Sequence, residues 1–546
     1  MTSAPAPADA RGRAVALFVL AAAIALYAWG AHTYLPVLLI DLSDTWAHLG
    51  AVRRTLENGP FPGDVFYAGE PTPPYYSLSH VVFALLTWAT GLPAHEIFVG
   101  AAPVIAALDI LAVYFWLGAL TGDRRLAAAG AAIELLLAAP AQPWSALPYP
   151  RNFELLPHYL AWFAYVRARR GGGSAWLYAS GIATGLALAM HLLSGSICVA
   201  GVLVHEIALR GRAGWRWMPP FVVCSIALAT ASPWIASFLH AWSQRTGQGH
   251  HLYRTLREAW SPLPVEYGVR LLRFSVVTAT LPLALWIPTA IGFITYLREL
   301  WAGRTSDSAR YAIIATGVTF GIAFTPLFSL IANFGGVWAP RVILLIPFAL
   351  LFGRGATALA EWLTSPDLGR AHVPLRVAAV GVLAFAAFTI VETIRVPSLR
   401  SAAFSAELRR TGPWGSWEIE RELAATGPIP RVVLSDPDTS YLLPYFLGSY
   451  VVTAPAGHGS AYIDHGTREN AAAKFFGRTT VMATRRQVLQ RYEVDAVAVR
   501  PAAAWPEAGA GTLLLATLER TPEMVDLGCC PPLVFLRYVG DSQNAR

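Results

Sequence analysis

The sequence predicts a mostly α-helical, polytopic membrane bundle followed by a C-terminal α/β domain, and three observations carry that expectation. The chain has 546 residues, 55% of them hydrophobic and only 14% charged, a balance that soluble domains of this size rarely show. Apolar runs of membrane-spanning length recur between residues 14 and 394, and the mean hydropathy is +0.46. Beyond about residue 397 the composition changes, with prolines and glycines breaking short alternating segments. Aromatics at 12%, including 19 Trp, suit many membrane-interface positions. The net charge of +7 does not indicate nucleic acid, because the basic residues lie in short loops between apolar runs, where they fix orientation in a bilayer.

Taken in order, Arg11 and Arg13 precede a first apolar run, 14–40, that is too long for a signal-peptide core. It predicts an uncleaved first helix with its N-terminus inside. Further runs lie at 97–120, 126–142, 156–168, 174–193, 195–210, 218–240, 270–297, 310–331, 342–362 and 376–394. One more apolar stretch, 76–91, is settled by charge. The clusters Arg124-Arg125, 167–170, 210–216, 298–310 and 370–376 all fall on the cytoplasmic side only if 76–91 does not cross. Ser77, Ser79 and His80 among its apolar residues, and the break at Gly91-Leu92-Pro93, fit a helix lying in the interface plane.

The count is then about eleven spans. It leaves 41–96, 143–155, 241–269, 332–341 and the tail on the outer side of what would be a bacterial inner membrane. Residues 1–396 form a transmembrane domain whose first external loop, 41–96, carries in-plane helices, and 397–546 form the extracytoplasmic domain. In that tail, 431–435, 450–453, 495–499 and 534–539 read as strands, and 439–447 and 484–492 as helices between them. Cys198 and Cys224 lie in apolar runs and behave as small hydrophobes. Cys529 and Cys530 are neighbours, which argues against a disulfide framework.

The chemistry concentrates where the first run ends, in Leu39-Ile40-Asp41-Leu42-Ser43-Asp44-Thr45-Trp46-Ala47-His48. Asp41, Asp44 and His48 share one face of a helix, which Gly59-Pro60 stops. Polar residues that merely cap an interfacial helix would look the same. The second outer loop adds Arg151 and Glu154, on a face with His158, where a helix-start ion pair is the alternative. The 241–269 loop supplies His250, His251 and Arg254, suited to phosphate or sugar or equally to a solvated hinge. Arg341, opening a later span, can hold a phosphate in two-point fashion or simply snorkel. Asp109 and Glu134 lie inside consecutive runs. They could serve a function or make a polar contact between helices, with each other or with His191. His205-Glu206 reads as interfacial. His458, Asp464, His465 and Arg468 fall together in a tail loop that reads as a turn held by local polar contacts.

These features resemble the GT-C superfamily of integral-membrane glycosyltransferases, which use polyprenyl-phosphate-linked sugars. The likeness rests on residues 44–53 and 58–62, an acid-plus-histidine first-loop pattern, and on Pro74-Tyr75-Tyr76-Ser77-Leu78 at the start of the in-plane helix. It also rests on Leu434-Ser435-Asp436-Pro437-Asp438-Thr439 in the tail, and the architecture matches over most of the chain. The acid-x-acid spacing of the oligosaccharyltransferase branch is absent, so no cofactor is assigned and a divalent metal stays an open option.

The resemblance implies a hexosyl- or pentosyltransferase acting at the outer face on a polyprenyl-phosphate sugar, with a glycan, lipid or protein as acceptor. Asp44 or Asp41 would take the acceptor proton, and the cations would steady the departing phosphate. One displacement inverts the anomeric centre. Two rivals remain: an ion-coupled transporter or lipid flippase working through Asp109 and Glu134, and a non-catalytic membrane assembly protein. The first calls for inverted repeats, which the sequence lacks.

Overall fold

Ala- and Leu-rich runs with few internal breaks make the long helices, and Gly or Pro at their ends stop them. In a computed structural model the described residues are 8–38, 44–73, 76–137, 150–209, 217–243, 272, 274–364, 373–411, 418–454, 463–501, 505–506, 510–531 and 533–539. In chain order the helices begin with α1 (Ala8–Leu38), α2 (Asp44–Asn58), α3 (Leu78–Thr90), α4 (Ala94–Thr121), α5 (Arg124–Glu134) and α6 (Pro150–Phe153). They continue with α7 (Leu155–Arg167), α8 (Ser174–Met190), α9 (Leu192–Leu209), α10 (Met218–Ser243), α11 (Phe274–Thr278) and α12 (Leu283–Trp301). Then come α13 (Asp307–Ala323), α14 (Leu327–Gly335), a 3₁₀ stretch Gly336–Leu345, α15 (Phe348–Thr364) and α16 (Val373–Thr411). The tail carries α17 (Ile419–Thr426), β1 (Val432–Leu434), α18 (Pro437–Phe446), β2 (Tyr450–Val451), α19 (His465–Phe476) and α20 (Met482–Arg491). It ends with β3 (Ala496–Val499), α21 (Ala510–Leu518), β4 (Met524–Asp526) and β5 (Val534–Tyr538).

The chain divides into a first unit, Met1–Thr33, Val99–Pro233 and Thr255–Arg400, and a second, Tyr34–Phe98, Trp234–Arg254 and Ser401–Arg546. The first external loop therefore folds with the tail.

The first unit is helical. Among the described residues, five helical segments are long and apolar enough to cross a membrane: Gly12–Thr33, Ala94–Thr121, Leu192–Leu209, Met218–His240 and Val373–Arg395. The run expected at 126–142 is helical only over Arg124–Glu134 among the described residues. Helices α12 and α15 approach closely through small residues. A Cβ on Gly292 would lie 1.8 Å from the Leu351 carbonyl oxygen, and one on Gly355 would lie 1.8 Å from that of Pro288. Gly130 and Gly353 do the same for α5 against α15.

Several of the basic clusters gather at one end of this unit. Arg170 donates to the Leu120 carbonyl at 2.9 Å and to Asp307 at 3.0 Å, and Arg354 pairs with Glu299 at 3.0 Å. His205 and Glu206 are fully buried. Trp116 donates to His205 at 2.9 Å, while Tyr165 and Arg169 both donate to Glu206 at 2.7 Å. The aromatic girdle around them, absent from any local pattern, covers the polar pair.

In the second unit a five-stranded mixed sheet runs in the order β2-β1-β3-β5-β4. Strand β1 is parallel to β2 and β3, in register Val433↔Val451 and Val433↔Ala496, and β5 is antiparallel to β3 and β4. Its core includes Leu434, Val497, Leu536, Phe475 and Leu489. The strands expected at 431–435, 450–453, 495–499 and 534–539 contain β1, β2, β3 and β5. Strand β4 and helices α19 and α21 carried too little pattern to be seen in advance. The polar group around Asp464 is a helix start and not a turn: Asp464 caps α19, accepting from the Thr467 N–H at 3.0 Å. His458 lies outside the described residues. The sulfurs of Cys529 and Cys530 are paired, contrary to expectation.

Candidate functional site

Helix α2 begins at Asp44 and ends at Gly59, whose φ of 79° only a residue without a side chain adopts easily, and its N–H closes on the Thr55 carbonyl at 2.9 Å. One side of α2 packs on the tail. Trp46 lies 5.2 Å from the Phe446 ring and 5.6 Å from that of Tyr445. Arg53 reaches Glu420 at 2.9 Å and the carbonyls of Tyr445 and Phe446, both at 2.9 Å. The loop after α2 joins the sheet edge. Asp64 accepts from the N–H groups of Phe66 and Tyr67 at 2.7 and 3.0 Å, which turns the chain so that the Phe66 carbonyl accepts from Val451 at 2.7 Å. The Tyr67 hydroxyl then accepts from the Ala454 N–H at 3.1 Å.

The opposite side of α2 meets α3. Thr55 and Tyr76 hydroxyls are 2.8 Å apart, and His48 Nδ1 lies 2.9 Å from His80 Nε2, with both rings buried. The polar residues Ser79 and His80 face inward on α3, whereas Leu85 and Trp88 are 58% and 78% exposed. At 13 residues, about 20 Å of helix, α3 is too short to cross a hydrocarbon core of about 30 Å. An apolar outer face and a polar inner one suit a helix bathed in lipid on one side. Burial pushes His80 down to about 3, so this imidazole is neutral at ordinary pH.

A second constellation lies within the helical unit. Glu154 and His158 are one turn apart and pair at 2.8 Å, both almost fully buried. The His158 ring sits edge-on to Trp162 at 4.2 Å. Glu134 accepts from the Tyr159 hydroxyl, and Asp109 is within electrostatic reach of both Glu134 and Glu154. Counting helical rise from the basic end, Asp109 and Glu134 lie about 15–18 Å in, near mid-depth of a membrane. Both Asp109 oxygens, Glu154 Oε2, His158 Nε2 and Asn152 Nδ2 are buried with no hydrogen-bond partner among the described residues. Buried polar atoms left this way call for a proton, a bound ion or a polar ligand. Among the described residues no three His, Cys, Asp or Glu side chains converge as metal ligands.

The expected residues thus fall into two groups. Asp44 heads α2 in the second unit and His48 follows one turn later on the same face. Arg151 lies on α6, Glu154 pairs with His158, and Arg341 is buried within the 3₁₀ stretch. Asp109 and Glu134 do not bond each other. His191 accepts from the Ser194 N–H at 3.2 Å at the turn between α8 and α9. Asp41, His250, His251 and Arg254 lie outside the described residues. His80 was legible only as a polar residue in an apolar stretch; its partnership with His48 spans 32 positions and had no local signal.

No protein-family model matches the sequence, and neither does any curated protein. Solved structures do. The apo oligosaccharyltransferase of Archaeoglobus fulgidus aligns over 91% of this chain and 72% of its own, at 14% identity and a TM-score of 0.54. The Archaeoglobus fulgidus oligosaccharyltransferase AglB, in complex with an inhibitory peptide and a dolichol-phosphate, aligns over 89% and 69%, at 14% identity and a TM-score of 0.53. The mycobacterial arabinofuranosyltransferase AftD aligns over 96% of this chain but 40% of its own, at 14% identity and a TM-score of 0.51. Identity this low speaks for the fold alone: the chain shares the fold of these membrane enzymes.

Proposed function

We propose that this protein is a membrane glycosyltransferase that moves a sugar from a polyprenyl-phosphate donor to an acceptor hydroxyl on the extracytoplasmic face of a bacterial inner membrane. The observation that carries this reading is the shared fold with an oligosaccharyltransferase bound to dolichol-phosphate, joined to an acid at the head of the first-loop helix. Fold alone does not assign chemistry. The acid at Asp44, following directly on a membrane-length helix, supplies the missing group.

In the proposed reaction the acceptor oxygen attacks the anomeric carbon, and Asp44 or Asp41 takes its proton. The bond from that carbon to the phosphate oxygen breaks through an oxocarbenium-like state, and the phosphate leaves with the electron pair. Arg341, Arg151, His250, His251 and Arg254 are the groups proposed to hold phosphate or sugar; Glu154 is proposed to accept from sugar hydroxyls. A hexose or pentose, and a glycan, lipid or peptide acceptor, all fit this chemistry.

A second reading, an ion-coupled transporter, is favoured by Asp109, a buried acid with no partner among the described residues, the group such a device needs. The test is a purified-protein assay with labelled polyprenyl-phosphate sugars, comparing wild type, Asp44→Asn, Asp41→Asn and Asp109→Asn. Glycosyl transfer by wild type, lost in one of the loop variants and kept in Asp109→Asn, is the expected result. Absence of transfer from every donor in the panel would reject the enzyme.

A further inference from the structure

His80 belongs to no set of residues assigned above to the reaction, yet its hydrogen bonds fix the state of His48. The Ser77 backbone N–H lies 3.0 Å from His80 Nδ1. A backbone amide can only donate, so Nδ1 of His80 is an unprotonated acceptor. A neutral imidazole carries its single proton on the other nitrogen, Nε2. That nitrogen faces His48 Nδ1 at 2.9 Å, so His48 Nδ1 must accept. The His48 proton is thereby confined to Nε2, which can only donate.

The surroundings hold this arrangement in place. The Tyr76 ring stacks on His80 at 5.1 Å, and its hydroxyl is tied to Thr55. Ser77 and Ser79 hydroxyls bond each other at 2.7 Å beside the ring. Both imidazoles are buried, and Asp44 stands one turn before His48 on α2. A proton added to the pair would cost either the Ser77 N–H bond or the bond between the rings.

We propose that His80 is a positioning residue: it locks His48 as the Nε2–H tautomer, so that His48 donates a hydrogen bond to the phosphate of the lipid-linked sugar. The proposal rests on the glycosyltransferase reading for the identity of the anion, while the tautomer stands on geometry alone. A donor without net charge suits a leaving phosphate, because it stays the same across physiological pH.

The experiment uses the full chain in detergent with ¹⁵N-labelled histidine, and polyprenyl phosphate without sugar as the binding probe. Wild type is expected to show His48 protonated at Nε2 and unchanged between pH 8 and pH 6. His80→Leu removes the donor, and the His48 signal should become a mixture of tautomers. Affinity for polyprenyl phosphate should fall about 10-fold, the loss expected for one hydrogen bond to a charged group. His80→Gln, which keeps an N–H donor, should hold both affinity and tautomer closer to wild type. In His48→Leu, adding His80→Leu should change affinity no further.

A wild-type His48 protonated at Nδ1 would overturn the lock. Normal binding of polyprenyl phosphate by a folded His80→Leu protein would overturn the role in phosphate recognition. A wild type that binds no polyprenyl phosphate, with the tautomer as expected, would instead fail the glycosyltransferase reading and the phosphate assignment with it.

Discussion

Two buried polar clusters in this molecule obey opposite rules. Around α2 and α3 the polar groups form a closed chain: Ser77 to His80 to His48, Thr55 to Tyr76, Asp64 to its own loop. Around α4, α5 and α7 the chain is open. Among the described residues Glu154 and His158 satisfy each other on one side only, and Asp109 bonds nothing. A closed network fixes a geometry before any ligand arrives. An open one holds binding capacity in reserve, and leaving it empty costs stability.

The largest expected effect tests which of the two performs chemistry. Asp44→Asn, or Asp41→Asn if that residue is the base, should lower transfer by about 10²–10⁴-fold, the usual span for a lost general base, while Asp109→Asn stays within about threefold of wild type. Initial rates with one saturating donor decide it, and the reverse pattern would move the reaction to the open cluster.

Next comes packing as distinct from polarity. Gly355→Leu would drive a side chain into the Pro288 carbonyl, so folding of the helical unit should be lost or reduced by about 3 kcal/mol, seen as a collapse of the thermal transition. The closed network is then probed by His80→Leu, expected to destabilise by about 1–3 kcal/mol. Asp109→Asn should leave the melting temperature level or raise it, because it removes an unpaired buried carboxylate. If Asp109→Asn destabilises as much as His80→Leu, the contrast between closed and open clusters fails.

Acid sharpens the same point. The folded-state value of His80 lies near 3, below that of a free histidine, so the unfolded chain binds the extra proton first. The stability it contributes is complete above about pH 6.5 and declines as pH falls from there toward 3. Melting temperatures across this window should fall more steeply for wild type than for His80→Gln. The smallest effect expected is from Tyr76→Phe, about 1 kcal/mol for a single buried hydroxyl pair, read by denaturant unfolding.

Much of the architecture was legible in advance because it is written in local pattern. Hydrophobic runs longer than 18 residues mark membrane helices, and short β-branched runs such as Val432–Leu434 and Ala496–Val499 mark strands whatever surrounds them. The end-clustering of Arg170, Arg354 and their acids follows from charge placement along the chain. Strand β4, with only Met524 buried, lacked such a pattern and emerges from pairing with β5. The burial of Arg341 and Glu206 had no local signal, because burial of a charge is decided by what packs over it.

By itself, then, the sequence determined the helical class, the mixed tail and an acid-plus-histidine motif at the head of the first loop. Each depends on residues within a turn or two of one another. Only tertiary structure decided that His48 would meet His80 and that Asp109 would be buried with no partner among the described residues. Those outcomes turn on contacts between segments tens of residues apart, where a hydrogen bond needs a few tenths of an ångström of placement that no periodicity encodes.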